Sequence, residues 1–282
     1  MRFKIILLAN ILIFTISCNK TNNSVDSKYT DPIKYYKDYW PNESGNLDST
    51  EMAIHDFASA SECFDCHGQY FAEWSSSRHA HSFNDPIFKK GWHDAQIDFP
   101  DTGERFCIQC HAPIAFVTGE NDIYDVMKEG VTCTFCHSFT GFGETVNAND
   151  QIVANAIYKL NPGENTMYGP IENPDDNPYH NSEYSRLFSR SDMCLPCHDF
   201  TIGGIEAEIT FTEWNIATAG GMSETNSCQS CHMPFRNGRH EHDFIGVDID
   251  LTKPIDHIDS QYLKVDSLLK TSVELSFAFD TN

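Results

Sequence analysis

The sequence predicts a mainly α-helical chain with extensive loops and few short strands. Three observations carry that reading. Five Cys-x-x-Cys-His segments recur along the 282 residues. Short helix signals flank several of them. The longest stretch between two neighbours is rich in Pro, Asn, Gly and Asp, the composition of loops. The segments are Cys63-Phe-Asp-Cys66-His67, Cys107-Ile-Gln-Cys110-His111, Cys133-Thr-Phe-Cys136-His137, Cys194-Leu-Pro-Cys197-His198 and Cys228-Gln-Ser-Cys231-His232.

This spacing is the attachment signature of c-type haem. Two thiols three positions apart can reach the two vinyl groups on one porphyrin edge and form thioethers. The histidine that follows then becomes the proximal ligand of the iron. Other chemistries fit less well. Structural zinc closes four ligands around one metal with paired Cys-x-x-Cys knuckles, which leaves a fifth segment over and gives the histidines no role. A thioredoxin-like redox pair occurs once, near a βαβ pattern. A disulfide framework gives no reason for a histidine after every pair. Five haems in a chain of this length imply a haem-packed multihaem cytochrome c architecture. The porphyrins then serve as the apolar interior in place of an ordinary core, wrapped by helices and loops.

Residues 1–18 read as a processing segment. Arg2 and Lys4 form the basic start, and residues 5–16 are apolar apart from Asn10 and Thr15, too short to span a membrane. The segment ends Thr15-Ile16-Ser17-Cys18, and Cys18 is the one cysteine of 11 outside the five motifs. A small residue followed by Cys after an apolar run resembles the lipobox of bacterial lipoproteins, with Thr15 where that pattern carries Leu. On that reading Cys18 is the lipidated N-terminus and several acyl chains anchor the protein. The alternative is an ordinary secretory signal. Both export the chain, as haem attachment outside the cytoplasm requires, and place it in the periplasm or at the cell surface. Residues 19–50 read as a polar tether, and no later segment is long and apolar enough to cross a bilayer.

Residues 51–250 are expected to form the pentahaem domain. Residues 70–74 and 210–214 echo each other as short helices, the second with Thr210 and Glu213 spaced as a capping box. Residues 122–128 read as a helix stopped by Gly130. Residues 161–182 read as a long loop that presents His180. Ile205, Ala207, Ile209 and Phe211 alternate with period two. So do Val273, Leu275, Phe277 and Phe279 in the segment 251–282, the mark of a half-buried strand. A strand needs a partner. This one either pairs with residues 205–211 or opens a β-rich domain that continues beyond residue 282.

Thirteen histidines less five proximal ones leave eight for the distal faces of the irons. His79, His81, His180, His240 and His242 are the distal candidates, followed by His93, His55 and His257. Glu73-Trp74-Ser-Ser-Ser77-Arg-His79-Ala80 resembles the Glu-Trp-x-x-Ser-x-His-Ala pattern of multihaem c-type cytochromes similar to the tetrahaem cytochrome that accepts electrons from hydroxylamine oxidoreductase. Residues 107–113, Gly130 to Cys133, Pro178 to His180, and residues 228–234 with Gly238-Arg-His240 resemble recurrent segments of the same family. The resemblance spans about residues 55–245. It implies that the histidine matching His79, and one near the last motif, are distal ligands. Five motifs in place of four are the departure.

The net charge of −22 argues against nucleic acid, whose phosphates require a basic surface. It favours steering toward a basic or membrane-bound redox partner. Enough histidine is present to close every iron with two ligands. Six-coordinate iron moves electrons without binding substrate, so the sequence reads as an electron-transfer protein. The alternative is a multihaem oxidoreductase acting on a nitrogen or sulfur oxyanion at one open-faced haem. No motif ends in Lys, the mark some such enzymes carry. A subunit docked on a larger oxidoreductase is compatible with the first reading.

Overall fold

The computed structural model describes residues 52–100, 103–119, 123–142, 158–163, 165–202, 205–218, 226–246, 248 and 260–272. The processing segment, Cys18, the tether, His257 and the period-two run at 273–279 lie outside the described residues. Helix α1, Ala60–Ser76, starts at a capping box: Ser59 accepts from the Ser61 N–H, and Glu62 accepts from the Ser59 N–H at 3.2 Å. The carboxylate of Glu129, far along the chain, accepts from Ser59 Oγ and from the Ala60 N–H at 2.9 Å. A negative group is favoured there by the helix dipole. The helix kinks at His67, with φ −116° and ψ 33°. Ser77 ends α1 and caps α2, Arg78–His81. Helix α3, Pro86–Asp98, opens with proline in its first turn behind Asp85, whose Oδ1 accepts from the Ile87 and Phe88 N–H groups at 2.8 and 2.9 Å.

Helices α4 (Gly103–His111) and α5 (Pro113–Thr118) lead into the apolar centre. Residues 113–117 of α5 are buried throughout. Around them pack Phe57, Phe83, Ile108, Met127, Phe135 and Phe139, with Tyr158 fully buried. The Tyr158 hydroxyl donates to the Gln109 carbonyl at 2.9 Å, so its burial leaves no polar atom unpaired. The expectation that this chain buries no ordinary core is therefore corrected: an aromatic-rich core exists beside the motifs. Burying such side chains stabilises by about 1.5–3 kcal/mol each, which supports the short motif helices at Cys133–His137 and Leu195–His198, where no side chain caps the N-terminus.

Helix α6 is Cys133–His137, and four two-stranded sheets follow among the described residues. Strands β1 (Phe139–Phe142) and β2 (Tyr158–Leu160) pair antiparallel and close the core. Strands β3 (Thr166–Gly169) and β4 (Asn181–Tyr184) pair in parallel, Thr166 opposite Asn181. The stretch 161–182 is thus not a plain loop: residues 170–180 form a crossover held shut at its base. Helix α7 is Leu195–His198, and β5 (Phe200–Ile202) pairs antiparallel with β6 (Ile205–Glu208). The period-two run at 205–211 is a strand only as far as Glu208 and takes β5 as its partner. Helix α8, Thr210–Ala217, forms where expected, but Thr210 is not its cap. Ile209 holds that position without a side-chain bond. Glu208 and Asp199 cap instead, accepting from the N–H groups of Thr210 and Thr212 at 2.8 and 2.7 Å.

Helix α9 is Cys228–His232. Strands β7 (Phe235–Arg236) and β8 (Arg239–His240) form a hairpin across Asn237-Gly238, whose φ values of 53° and 82° suit a two-residue primed turn. Helix α10, Ser260–Ser272, was not anticipated. It is bound to the preceding segment by Lys264 to Asp243 at 2.6 Å, by Gln261 to Asp248 at 2.8 Å and by the fully buried Val265. None of the described helices is long and apolar enough to cross a membrane.

The helix anticipated over residues 122–128 is instead a 3₁₀ turn, Asp125–Glu129, stopped as expected by Gly130 at φ 71° and ψ −132°. The next N–H, of Val131, donates to the His79 carbonyl at 3.0 Å. A Cβ at residue 130 would collide with that carbonyl and with Ser82 Oγ. Gly130→Ala combines this clash with a backbone region closed to side chains. It is expected to cost at least about 2 kcal/mol, read as a lowered thermal midpoint.

Candidate functional site

The motif cysteines sit on helical turns, where residues i and i+3 share a face. Both thiols of a pair can therefore address one edge of a planar group. Helices α4, α6, α7 and α9 each end at the motif histidine, and α1 kinks at His67. Leaving the helix at that residue frees the imidazole to turn away from the thiols.

Backbone carbonyls hold most of these imidazoles. His111 Nδ1 bonds Ser82 O at 2.9 Å, His137 Nδ1 bonds Tyr168 O at 2.7 Å, and His232 Nδ1 bonds Ile245 O. Among the distal candidates, His180 Nδ1 bonds Asn181 O at 3.0 Å, His240 Nδ1 bonds Met233 O at 2.6 Å, and His242 Nδ1 bonds His240 O at 3.1 Å. A carbonyl can only accept, so each Nδ1 carries the proton and each Nε2 keeps its lone pair for a metal.

Three motif imidazoles face a distal candidate. His67 and His180 have ring centroids 6.3 Å apart, His137 and His242 6.4 Å, and His79 and His198 6.1 Å. A metal held between two imidazoles needs two bonds of about 2 Å and two ring radii of about 1.1 Å, or about 6.2 Å in all. The residues present fit a bis-histidine iron in all three places. The planes are 34°, 15° and 63° apart respectively.

Electrostatics agree with neutral, ligand-ready rings. Burial, reinforced by His198 and His232, pushes His79 down to about 3, and its Nδ1 is closed off without a hydrogen-bond partner. Burial and then the neighbouring His137 push His242 down to about 4. Burial also lowers His111, His137 and His198.

The structure does not bring every candidate to a motif ring. His240 packs against Phe235 at 5.2 Å. His55, His81 and His93 lie on the surface. The His111 ring is stacked by Phe88 at 4.0 Å.

Contacts between motifs map their order in space. The thiol of Cys63 meets Cys133, that of Cys110 meets Cys197, and that of Cys194 meets Cys228. The first motif therefore borders the third, the second borders the fourth, and the fourth borders the fifth. The Cys133 contact lowers Cys63, and the Cys194 contact lowers Cys228. Burial raises Cys136 to about 12.

Polar bonds fix the same neighbours. Thr132 Oγ1 donates to Glu129 at 3.0 Å, and Thr134 Oγ1 donates to Ala58 O at 2.9 Å, joining α6 to the start of α1. The fully buried Ser191 accepts from the Cys228 N–H at 2.8 Å, and Gln229 Nε2 donates to Arg190 O at 2.7 Å, joining the last two motifs. The sequence reading named none of Ser82, Glu129, Tyr168, Ser191 or Ile245. Three of them act through backbone carbonyls, which leave no mark on residue type.

A family model described as cytochrome c554 and c-prime matches residues 62–138, which hold the first three motifs. No curated protein matches. Among solved structures, the crystal structure of a penta-haem cytochrome c552 from Thermochromatium tepidum is similar, with a TM-score of 0.55 and 25% identity over 69% of this chain. The match covers 58% of that protein, so the chain spans less than two thirds of its length. These likenesses and the motifs together support a c-type cytochrome with several haems.

Ser191→Ala would leave the Cys228 N–H unpaired. The expected loss is about 1–3 kcal/mol, measured by denaturant unfolding of the haem-loaded protein.

Proposed function

We propose that this multihaem c-type cytochrome transfers electrons through five covalently bound haems outside the cytoplasm. The observation that carries the reading is the spacing of three imidazole pairs at 6.1 to 6.4 Å, each pairing one motif histidine with a histidine remote in sequence. Cys63 and Cys66, Cys107 and Cys110, Cys133 and Cys136, Cys194 and Cys197, and Cys228 and Cys231 hold the haems as thioethers. His67, His111, His137, His198 and His232 are the proximal ligands. His180 closes the His67 site, His242 the His137 site and His79 the His198 site. Bound haem supplies an iron that takes up and releases one electron at a time.

The protein's own groups set the terms of that chemistry. Carbonyls that accept from Nδ1 orient the imidazoles of His111, His137, His232, His180 and His242 and raise the basicity of their Nε2 atoms. Two imidazoles at one iron leave no position for a substrate, which favours electron transfer over turnover at the His67, His137 and His198 sites. The acidic surface favours a basic partner. Cys18 is the proposed lipid anchor, and residues 19–50 the tether that lets the haem domain reach that partner from the membrane. The proposed kinship with the tetrahaem acceptor of hydroxylamine oxidoreductase rests on the segment 73–80, on residues 107–113 and 130–133, on Pro178 to His180, and on residues 228–234 with Gly238-Arg-His240.

Intact mass should exceed that of the processed chain by five haems. Replacing His79, His180 or His242 singly by Ala should keep all haems attached and convert one iron to high spin. The ferric low-spin resonance from the near-parallel His137 and His242 should be rhombic, and that from the steeply crossed His79 and His198 strongly anisotropic. Fewer haems, or an unchanged spin state in all three variants, would overturn the assignment. Sustained reduction of nitrite, hydroxylamine or tetrathionate would favour the oxidoreductase alternative.

Cys18→Ala should move the haem protein from the membrane fraction to the soluble one after cell fractionation. Retention on membranes would remove the lipid anchor from the proposal.

A further inference from the structure

The strongest unassigned feature lies behind His242. Glu73 of α1 and Arg239 of β8 form a two-pronged ion pair: Arg239 Nη1 donates to Glu73 Oε2 at 2.8 Å, and Nη2 donates to Oε1. Both side chains are 14% exposed. A planar guanidinium gripping a carboxylate with two bonds fixes direction as well as distance. Glu73 does more than pair. Its Oε2 also accepts the backbone N–H of His242 at 2.9 Å. The Arg239 guanidinium lies over the Tyr70 ring, 4.9 Å from its centre. The edge-to-face contact of Tyr70 with the His242 ring has a centroid distance of 4.9 Å and an angle of 81°. Arg239 Nη1 additionally donates to His240 O, the carbonyl that receives His242 Nδ1.

The main chain, the Nδ1 acceptor and one ring edge of His242 are therefore all referred to the same three side chains. Two of these, Tyr70 and Glu73, stand on the helix that carries His67. The Asn237-Gly238 turn brings Arg239 back to meet them.

We infer that Glu73, Arg239 and Tyr70 form a positioning frame that holds His242 opposite His137 and ties that site to the helix of the first motif. This rests on the ligation of the His137 iron by His242. The frame touches no iron; it acts through His242. Removing Glu73 frees the His242 N–H, releases Arg239 from its stacked position and lets the imidazole drift.

The test uses the full haem-loaded protein and compares His242→Ala, Glu73→Ala, Glu73→Gln and Arg239→Lys by ferric resonance spectra and cyanide binding. His242→Ala should abolish the rhombic signal of the His137 site. Glu73→Ala should weaken ligation there by about 10- to 100-fold, read as partial loss of the same signal and cyanide uptake at one haem. Added imidazole should restore the low-spin state. Glu73→Gln, which keeps an acceptor for the His242 N–H, and Arg239→Lys, which keeps the charge without the fork, should lie between. They also serve if Glu73→Ala does not fold.

If His242→Ala leaves the rhombic signal in place, the ligand assignment fails and the frame with it. If His242→Ala removes the signal while the Glu73 and Arg239 variants keep it and change only the thermal midpoint, the ligation stands and the positioning role is overturned.

Discussion

The bond from imidazole Nδ1 to a backbone carbonyl is the interaction on which the site depends. It decides three things at once: which nitrogen holds the proton, which nitrogen faces a metal and how the ring is turned. A free histidine side chain explores many rotamers, and holding it costs entropy. Here Ser82, Tyr168 and Ile245 supply the carbonyls for three motif histidines. Each lies outside the motif it serves, so every such bond also fastens one part of the chain to another. Ser82 shows the economy of this plan: its carbonyl receives His111 Nδ1 while its hydroxyl donates to the His111 carbonyl at 3.0 Å.

Those carbonyls must themselves be held still, and the rest of the fold does that. Tyr168 sits in β3, locked in parallel register with β4, the strand that begins right after His180. One short sheet thus presents an acceptor to His137 and carries the histidine that faces His67. The aromatic core around Phe116 and Tyr158 supports the second motif from within, since Tyr158 bonds the carbonyl of Gln109 between its two cysteines. Polar residues then join motif to motif, with Glu129 at the start of α1 and Ser191 at the start of α9. The interior is accordingly a mixture: part ordinary apolar packing, part the faces reserved for planar groups.

Covalent chemistry was the legible part of the sequence. Thiol spacing and the following histidine are fixed by the geometry of one porphyrin edge, so the five motifs announce themselves without a structure. His79 and His180 were also within reach, since each lies in a segment with a recognisable pattern, and His242 stood among the candidates two residues beyond another such segment. Their partners were not, because pairing is set by the path of the chain between them. That His242 comes within 6.4 Å of His137 while His240 packs on Phe235 follows from the path of the chain after the hairpin β7–β8, which turns at Asn237-Gly238. The apolar core escaped for another reason. Its members, from Phe57 to Leu160, are scattered among the motifs and follow no single period. The helix at 260–272 carries Tyr262, Val265 and Leu269 at helical spacing, yet the alternating run just beyond it drew the reading toward a strand.

The three facing pairs have a further property when they are laid along the chain. Residues 67 and 180, 79 and 198, and 137 and 242 form spans that overlap without nesting neatly. Any break in the backbone between residues 137 and 180 separates the members of all three. A chain cut back to the first two or three motifs would therefore keep none of the three facing pairs. Closing such distant ends also makes assembly slow relative to a chain of local contacts.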